Sequence, residues 1–274
     1  MIFLYLCANI LQKSMKIALF QTDIRWNDPQ WNTEHAAQMM EEMRLKREDG
    51  RGEMEEEADV YVLPEMFTTG FATQPEGIAD DKAKGLKWMR QMARQHDAAI
   101  VGSIATNLGN GKYCNRMYFV MPDGTEVHYD KRHLFSYGGE DEHYTSGTER
   151  VTVEWRGVRF LLQVCYDLRF PVWSRNHEDY DCALYVANWP ESRIGAWKTL
   201  LKARAIENQC YVCGVNRVGT DAACKYSGGT TFIDPYGRVV AEVEDGKEGW
   251  IVAELNMEKL TQFREKFPVL KDRD

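Results

Sequence analysis

The sequence has no long cluster of lysine and arginine. Its 34 basic residues are scattered among 42 acidic ones, for a formal net charge of -8. That balance argues against nucleic acid as a partner, because phosphate binding needs a basic face. It also has no apolar run of the ~20 residues that a membrane-crossing helix needs, so no membrane partner is expected. The apolar opening "MIFLYLCANILQKS" (1–14) is too short for a span. It lacks the basic residues and the small-residue cleavage site of a secretory signal. Seven cysteines at irregular spacing do not suit a disulfide framework and fit a reduced, cytoplasmic protein. Cys210 and Cys213 form a CxxC in "QCYVCGV", but no second CxxC and no paired histidines accompany it. Its apolar setting reads as strand packing, and no metal site is expected. No linker, repeat or low-complexity tract divides the chain. The acidic stretch "EDGRGEMEEEADV" (48–60) reads as a solvated loop.

What the chain does have is apolar material: 44% hydrophobic and 12% aromatic residues over 274 positions, ample for a core. Met15 opens "MKIALFQT", which reads as a first strand, so residues 1–14 read as a leader from an upstream start. Further strand-like runs include "VYVL" (60–63), "AAIVGSIA" (98–105), "RMYFVM" (116–121), "VRFLLQV" (158–164), "CALYVAN" (182–188) and "CYVCGVN" (210–216). Several are almost wholly apolar, as in strands covered on both faces. Between them, 33–49, 82–96 and 195–209 carry apolar residues at helical spacing, the first starting on a Thr33 cap. Their Met and Trp stripes read as core. The expectation is one α/β domain over residues 15–274, with helices layered on sheets.

Three stretches place polar residues directly after strands: Glu65 in "LPEMF", Lys131 in "DKRHLF" and Cys165 in "CYDLRFP". Ligands of α/β proteins gather where the chain leaves the carboxyl ends of strands. A thiol attacks a carbonyl as thiolate, which a nearby cation favours. A carboxylate can carry the proton to a leaving amine, and a lysine can hold charge on the oxygen. The trio therefore suits acyl transfer through a thioester. Taken singly, each residue is as well explained by packing or by a solvated loop. His133 offers a cysteine–histidine alternative, but nothing around Cys165 matches the papain or caspase signatures.

"LPEMF", "DKRHLF" and "CYDLRFP", in that order, resemble the three signature segments of the nitrilase superfamily of carbon–nitrogen hydrolases. The resemblance runs from about Met15 to the C-terminus. It implies a four-layer α-β-β-α sandwich, no cofactor, and homodimers or higher homo-oligomers. It assigns Cys165 as nucleophile, Glu65 as base and Lys131 as the third member. It adds a second glutamate seven residues before a glycine, which in "GGEDEHYTSG" selects Glu140. "YVANWP" (185–190), "ARAIENQCYVCGVNRVG" (203–219) and "FREKFPVLKDRD" (263–274) resemble the omega-amidase branch. That branch hydrolyses the terminal amide of short dicarboxylic acid monoamides such as 2-oxoglutaramate. The expected small-molecule amide would be bound by the Tyr166 backbone N–H, by aromatic walls from Phe67 and Trp189, and at its carboxylate by Arg169. For Arg169 the plain alternative is an ion pair with Asp167 or a loop acid. A carbamoyl-amide hydrolase would share the same catalytic residues, and a non-catalytic binding protein could retain the same fold. Fast alkylation of one thiol would favour an enzyme over the latter.

Overall fold

Apolar side chains on both faces of the central strands dictate the layering. In the computed structural model, which describes residues 14–45, 58–80 and 82–273, β1 (Ser14–Gln21) sends Ile17 and Leu19 one way and Ala18 and Phe20 the other. It is followed by α1 (Pro29–Leu45), β2 (Val60–Val62), α2 (Lys84–His96), β3 (Ala99–Gly109), β4 (Lys112–Val120) and β5 (Glu126–Asp130). After the single-turn α3 (Glu140–His143), the chain forms β6 (Thr152–Trp155), β7 (Val158–Val164), β8 (Cys182–Ala187), α4 (Ile194–Asn208) and β9 (Tyr211–Asn216). A ribbon of β10 (Val218–Thr220) and β11 (Lys225–Ser227) precedes β12 (Thr231–Ile233) and β13 (Val239–Glu242). β14 (Gly249–Asn256) returns to pair antiparallel with β1, and α5 (Met257–Lys266) follows.

Two six-stranded sheets result, in the orders β14-β1-β2-β3-β4-β5 and β13-β12-β9-β8-β7-β6. They pack face to face through Ile17, Leu19, Val60 and Val62 of one and Phe160, Leu162, Val164 and Leu184 of the other. The outer face of the first sheet is covered by Met39, Met40 and Met43 of α1 and Met89 and Met92 of α2. The outer face of the second receives Trp197, Leu201 and Ala205 of α4. This is the four-layer α-β-β-α sandwich, and it explains the near-continuous apolar strands. α1 starts earlier than the sequence suggests. Asp28 accepts from the Trp31 N–H at 3.1 Å and Pro29 takes the first helical position, while Thr33 bonds back to the Pro29 carbonyl at 2.8 Å.

Residues 1–13 of the leader, and 46–57 with most of the acidic stretch 48–60, lie outside the described residues. Cys210 and Cys213 are buried, and Cys213 packs 3.6 Å from Cys182 on the neighbouring strand. Among the described residues no group of three or more His, Cys, Asp or Glu is arranged to hold a metal, and no helix is long and apolar enough to cross a membrane.

Candidate active site

β1, β2 and β3 run parallel in one sheet, and β7, β8 and β9 in the other. Two antiparallel steps, β3 to β4 and β4 to β5, bring β5 back to the direction of β2. The chain therefore leaves β2 at Glu65 and β5 at Lys131 on the same edge of the first sheet. It leaves β7 at Cys165 and β8 at Asn188 in the second. Glu65 meets the second sheet directly: its Oε2 accepts from the Asn188 backbone N–H at 2.8 Å, and its carbonyl from the Asn188 side chain at 2.7 Å.

Lys131 is wholly buried between two wholly buried carboxylates. Its Nζ lies 2.9 Å from Glu65 Oε1 and 2.8 Å from Glu140 Oε2. Asn115, in β4, donates to Glu65 Oε1 at 2.8 Å and to Glu140 Oε1 at 3.1 Å, which fixes its amide orientation because ionised carboxylates only accept. Glu140 is further saturated by the Phe135 N–H at 2.6 Å. The spacing from Glu140 to Gly147 has a steric cause. A Cβ at Gly147 would sit 2.0 Å from the Asp130 carbonyl oxygen, so only glycine lets this loop close beside Lys131.

Burial opposes the charge on Lys131, but Glu140 and Glu65 outweigh it and hold the ammonium well above its ordinary pKa. Burial, and then the neighbouring Glu65 charge, raise the Glu140 carboxyl despite Lys131. The same logic governs Cys165. Burial raises its thiol well above the usual value, the Glu65 charge adds to this, and Lys131 only partly offsets it. One ammonium, Lys131, thus stands against two carboxylates, Glu65 and Glu140.

Cys165 begins a short 3-10 turn, Cys165–Arg169, at a left-handed φ of 46°, unusual for a residue with a side chain. Met66, beside Glu65, is held at φ 44°. Buried Asp167 pins the cysteine turn. It accepts from the Val164 N–H at 3.0 Å, the Tyr129 hydroxyl at 2.9 Å and the His133 N–H at 2.9 Å. His133 gives its ring to Asp167 at 2.8 Å and stacks on Phe170 at 3.9 Å, so it takes no part in a pair with Cys165.

Cys165 lies on the wall of a cavity of about 690 Å³, lined also by Tyr166, Arg169, Asn188 and Trp189. Phe67 is not there. It is buried beneath the first sheet against Trp88 at 5.5 Å, with Gly102 making room for its ring. Phe71 and Phe135 line the wall instead. Arg169 does not pair with Asp167, whose oxygens are taken. Its guanidinium lies 5.0 Å from the Trp189 ring centroid and has no ion pair among the described residues. Asn115, Asn188, Arg193 and the 221–224 loop were not singled out by the sequence reading.

A sandwich of this kind, with a buried Glu–Lys–Glu cluster beside a strained strand-end cysteine, defines the class: the chain belongs to the carbon–nitrogen hydrolase family, whose model matches residues 16–265. An omega-amidase of Yersinia enterocolitica is 47% identical over 95% of this chain and 97% of its own length. A 2-oxoglutaramate amidase of Bacillus subtilis is 36% identical over 93% of this chain and 96% of its own. Among solved structures, a CN-hydrolase superfamily protein of Xanthomonas campestris carries an arsenic adduct in its active site. It superposes with a TM-score of 0.87 at 39% identity, covering 95% of this chain and 97% of that one.

Proposed function

We propose that this protein is an omega-amidase, releasing ammonia from the terminal amide of short dicarboxylic acid monoamides of the 2-oxoglutaramate type. The observation that carries the chemistry is the buried Glu65–Lys131–Glu140 cluster acting on the Cys165 thiol at the edge of the cavity. The substrate reading is supported by the omega-amidase and 2-oxoglutaramate amidase relatives and by an unpaired Arg169 in the same cavity.

Glu65 takes the thiol proton as sulfur bonds to the amide carbon. The C=O electrons move onto oxygen, which is held by the charge of Lys131 and the Tyr166 backbone N–H. The intermediate collapses, the C–N bond breaks, and Glu65 returns its proton to the nitrogen, which leaves as ammonia. Water then attacks the thioester while Glu65 takes one of its protons. The C–S bond breaks, the acid departs, and the proton goes back to sulfur. Glu140 orients Lys131, because both its oxygens are already committed to Lys131, Asn115 and the Phe135 N–H. Only protein groups and water enter these steps. Trp189 and Phe71 wall the acyl chain, and Arg169 binds the carboxylate through its planar fork.

The functional unit is a single domain from Met15 onward, acting in the cytoplasm as a homodimer or higher homo-oligomer. Six free cysteines among the described residues fit a reducing compartment. The test is ammonia release from glutaramate and succinamate, glutamine, N-carbamoyl amino acids and simple nitriles. The monoamides should lead. Glutamine should be poor, because its ammonium would be desolvated without a partner. A preference for carbamoyl compounds or nitriles would overturn the substrate reading.

A further inference from the structure

The cavity beside Cys165 contains a second cation that the reading above does not use. Arg193, at the entry to α4, lines it together with Arg169. Its guanidinium lies 5.4 Å from the Phe135 ring centroid, as that of Arg169 lies 5.0 Å from Trp189. Neither has an ion pair among the described residues. Two other partly buried arginines are tied to acids, Arg116 to Asp130 at 2.7 Å and Arg159 to Asp181 at 2.8 Å, as is the fully buried Arg217, to Asp23 at 2.8 Å. The acids near Arg193 are engaged elsewhere. Asp221 accepts from the Tyr226 hydroxyl at 2.7 Å and from the Cys224 N–H at 2.7 Å, and Glu191 pairs with Lys225 at 3.1 Å. A ring contact uses the face of a guanidinium and leaves its N–H edge free. Two such half-buried guanidinium groups line one aromatic-walled cavity with no acid paired to either among the described residues.

We propose that Arg193 is a specificity-determining residue: with Arg169 it clamps the substrate carboxylate, so that two guanidinium groups share the two carboxylate oxygens at the end of the molecule remote from Cys165. This rests on the monoamide reading. A carboxylate offers about four lone-pair sites. One Arg fork fills two of them, and the second Arg fills the rest. The backbone at Arg193 is held independently of its side chain, because the Trp189 indole N–H donates to the Arg193 carbonyl at 2.9 Å.

The experiment compares kcat/KM for glutaramate with that for pentanamide, its uncharged counterpart, in wild type, Arg193→Gln and Arg193→Lys. The Gln variant should lose about 10- to 100-fold on glutaramate, mainly through KM, and stay within about threefold of wild type on pentanamide. The Lys variant should recover part of the loss, because an ammonium keeps the charge but not the fork. An unchanged glutaramate-to-pentanamide ratio in Arg193→Gln overturns the assignment. Should that variant fail to fold, Arg193→Lys carries the test: a several-fold rise in KM for glutaramate alone is expected, and an unchanged KM refutes it. If wild type itself shows no preference for glutaramate, the monoamide reading has failed rather than the role of Arg193.

Discussion

Under the proposed mechanism, Lys131 joins stability to catalysis in a single residue. Its ammonium lies between two buried carboxylates, so Lys131→Met should do more than slow turnover. Leaving Glu65 and Glu140 unpaired should destabilise the protein by about 3–5 kcal/mol, read as a lowered urea midpoint alongside the lost activity. Glu65→Gln is the cleaner probe, because the amide keeps the shape of the side chain. It should cost at least about a hundredfold in kcat with a much smaller change in stability.

At the scale of elements, two tethers hold the parts of the second sheet in place. Asp167 fixes the turn that carries Cys165. Asp167→Ala would leave the Val164 N–H, the Tyr129 hydroxyl and the His133 N–H short of an acceptor, at about 1–3 kcal/mol for each buried group. It should lower both the melting temperature and kcat. Asp181 ties β7 to α5, meeting Arg159 at 2.8 Å and Arg264 at 2.8 Å. Burial opposes its ionisation, but the hydrogen bonds of Arg159 and the charge of Arg264 prevail and hold its carboxyl below the ordinary value. A carboxylate whose folded pKa is depressed contributes stability above its unfolded pKa and loses it as pH falls through the folded one. Asp181→Asn should therefore be clearly less stable than wild type at pH 7. The gap in melting temperature should narrow as pH falls below about 4, and a gap that widened would reverse the sign of this account.

For the whole molecule, helices layered on sheets were legible because the strands betray double burial, whereas the four-layer order was implied only by the family resemblance. "KIALFQT" and "FLLQV" are apolar at consecutive positions, which only layers on both faces explain. The residues proposed to react could be singled out because each lies within three residues of the end of a strand. The cavity wall was not. Phe67 and Phe71 are four residues apart in one loop, and sequence spacing does not say which ring faces the core. Gly102 decided it by opening a place for Phe67. Asn115 and Asn188 escaped notice for a related reason. Their value lies in meeting Glu65 from strands 50 and 123 positions away, a relation that exists only once both sheets have packed. Arg193 could not be told from a surface arginine until the acids around it proved to be engaged elsewhere.

The central claim is that Cys165 attacks the terminal amide of a short dicarboxylic acid monoamide. Its most direct test is ammonia release from glutaramate by wild type and by Cys165→Ala, side by side, with matching thermal unfolding of the two proteins. The account predicts steady release by wild type and none above the uncatalysed rate by a folded Cys165→Ala. Release by that variant at a rate near wild type would contradict it.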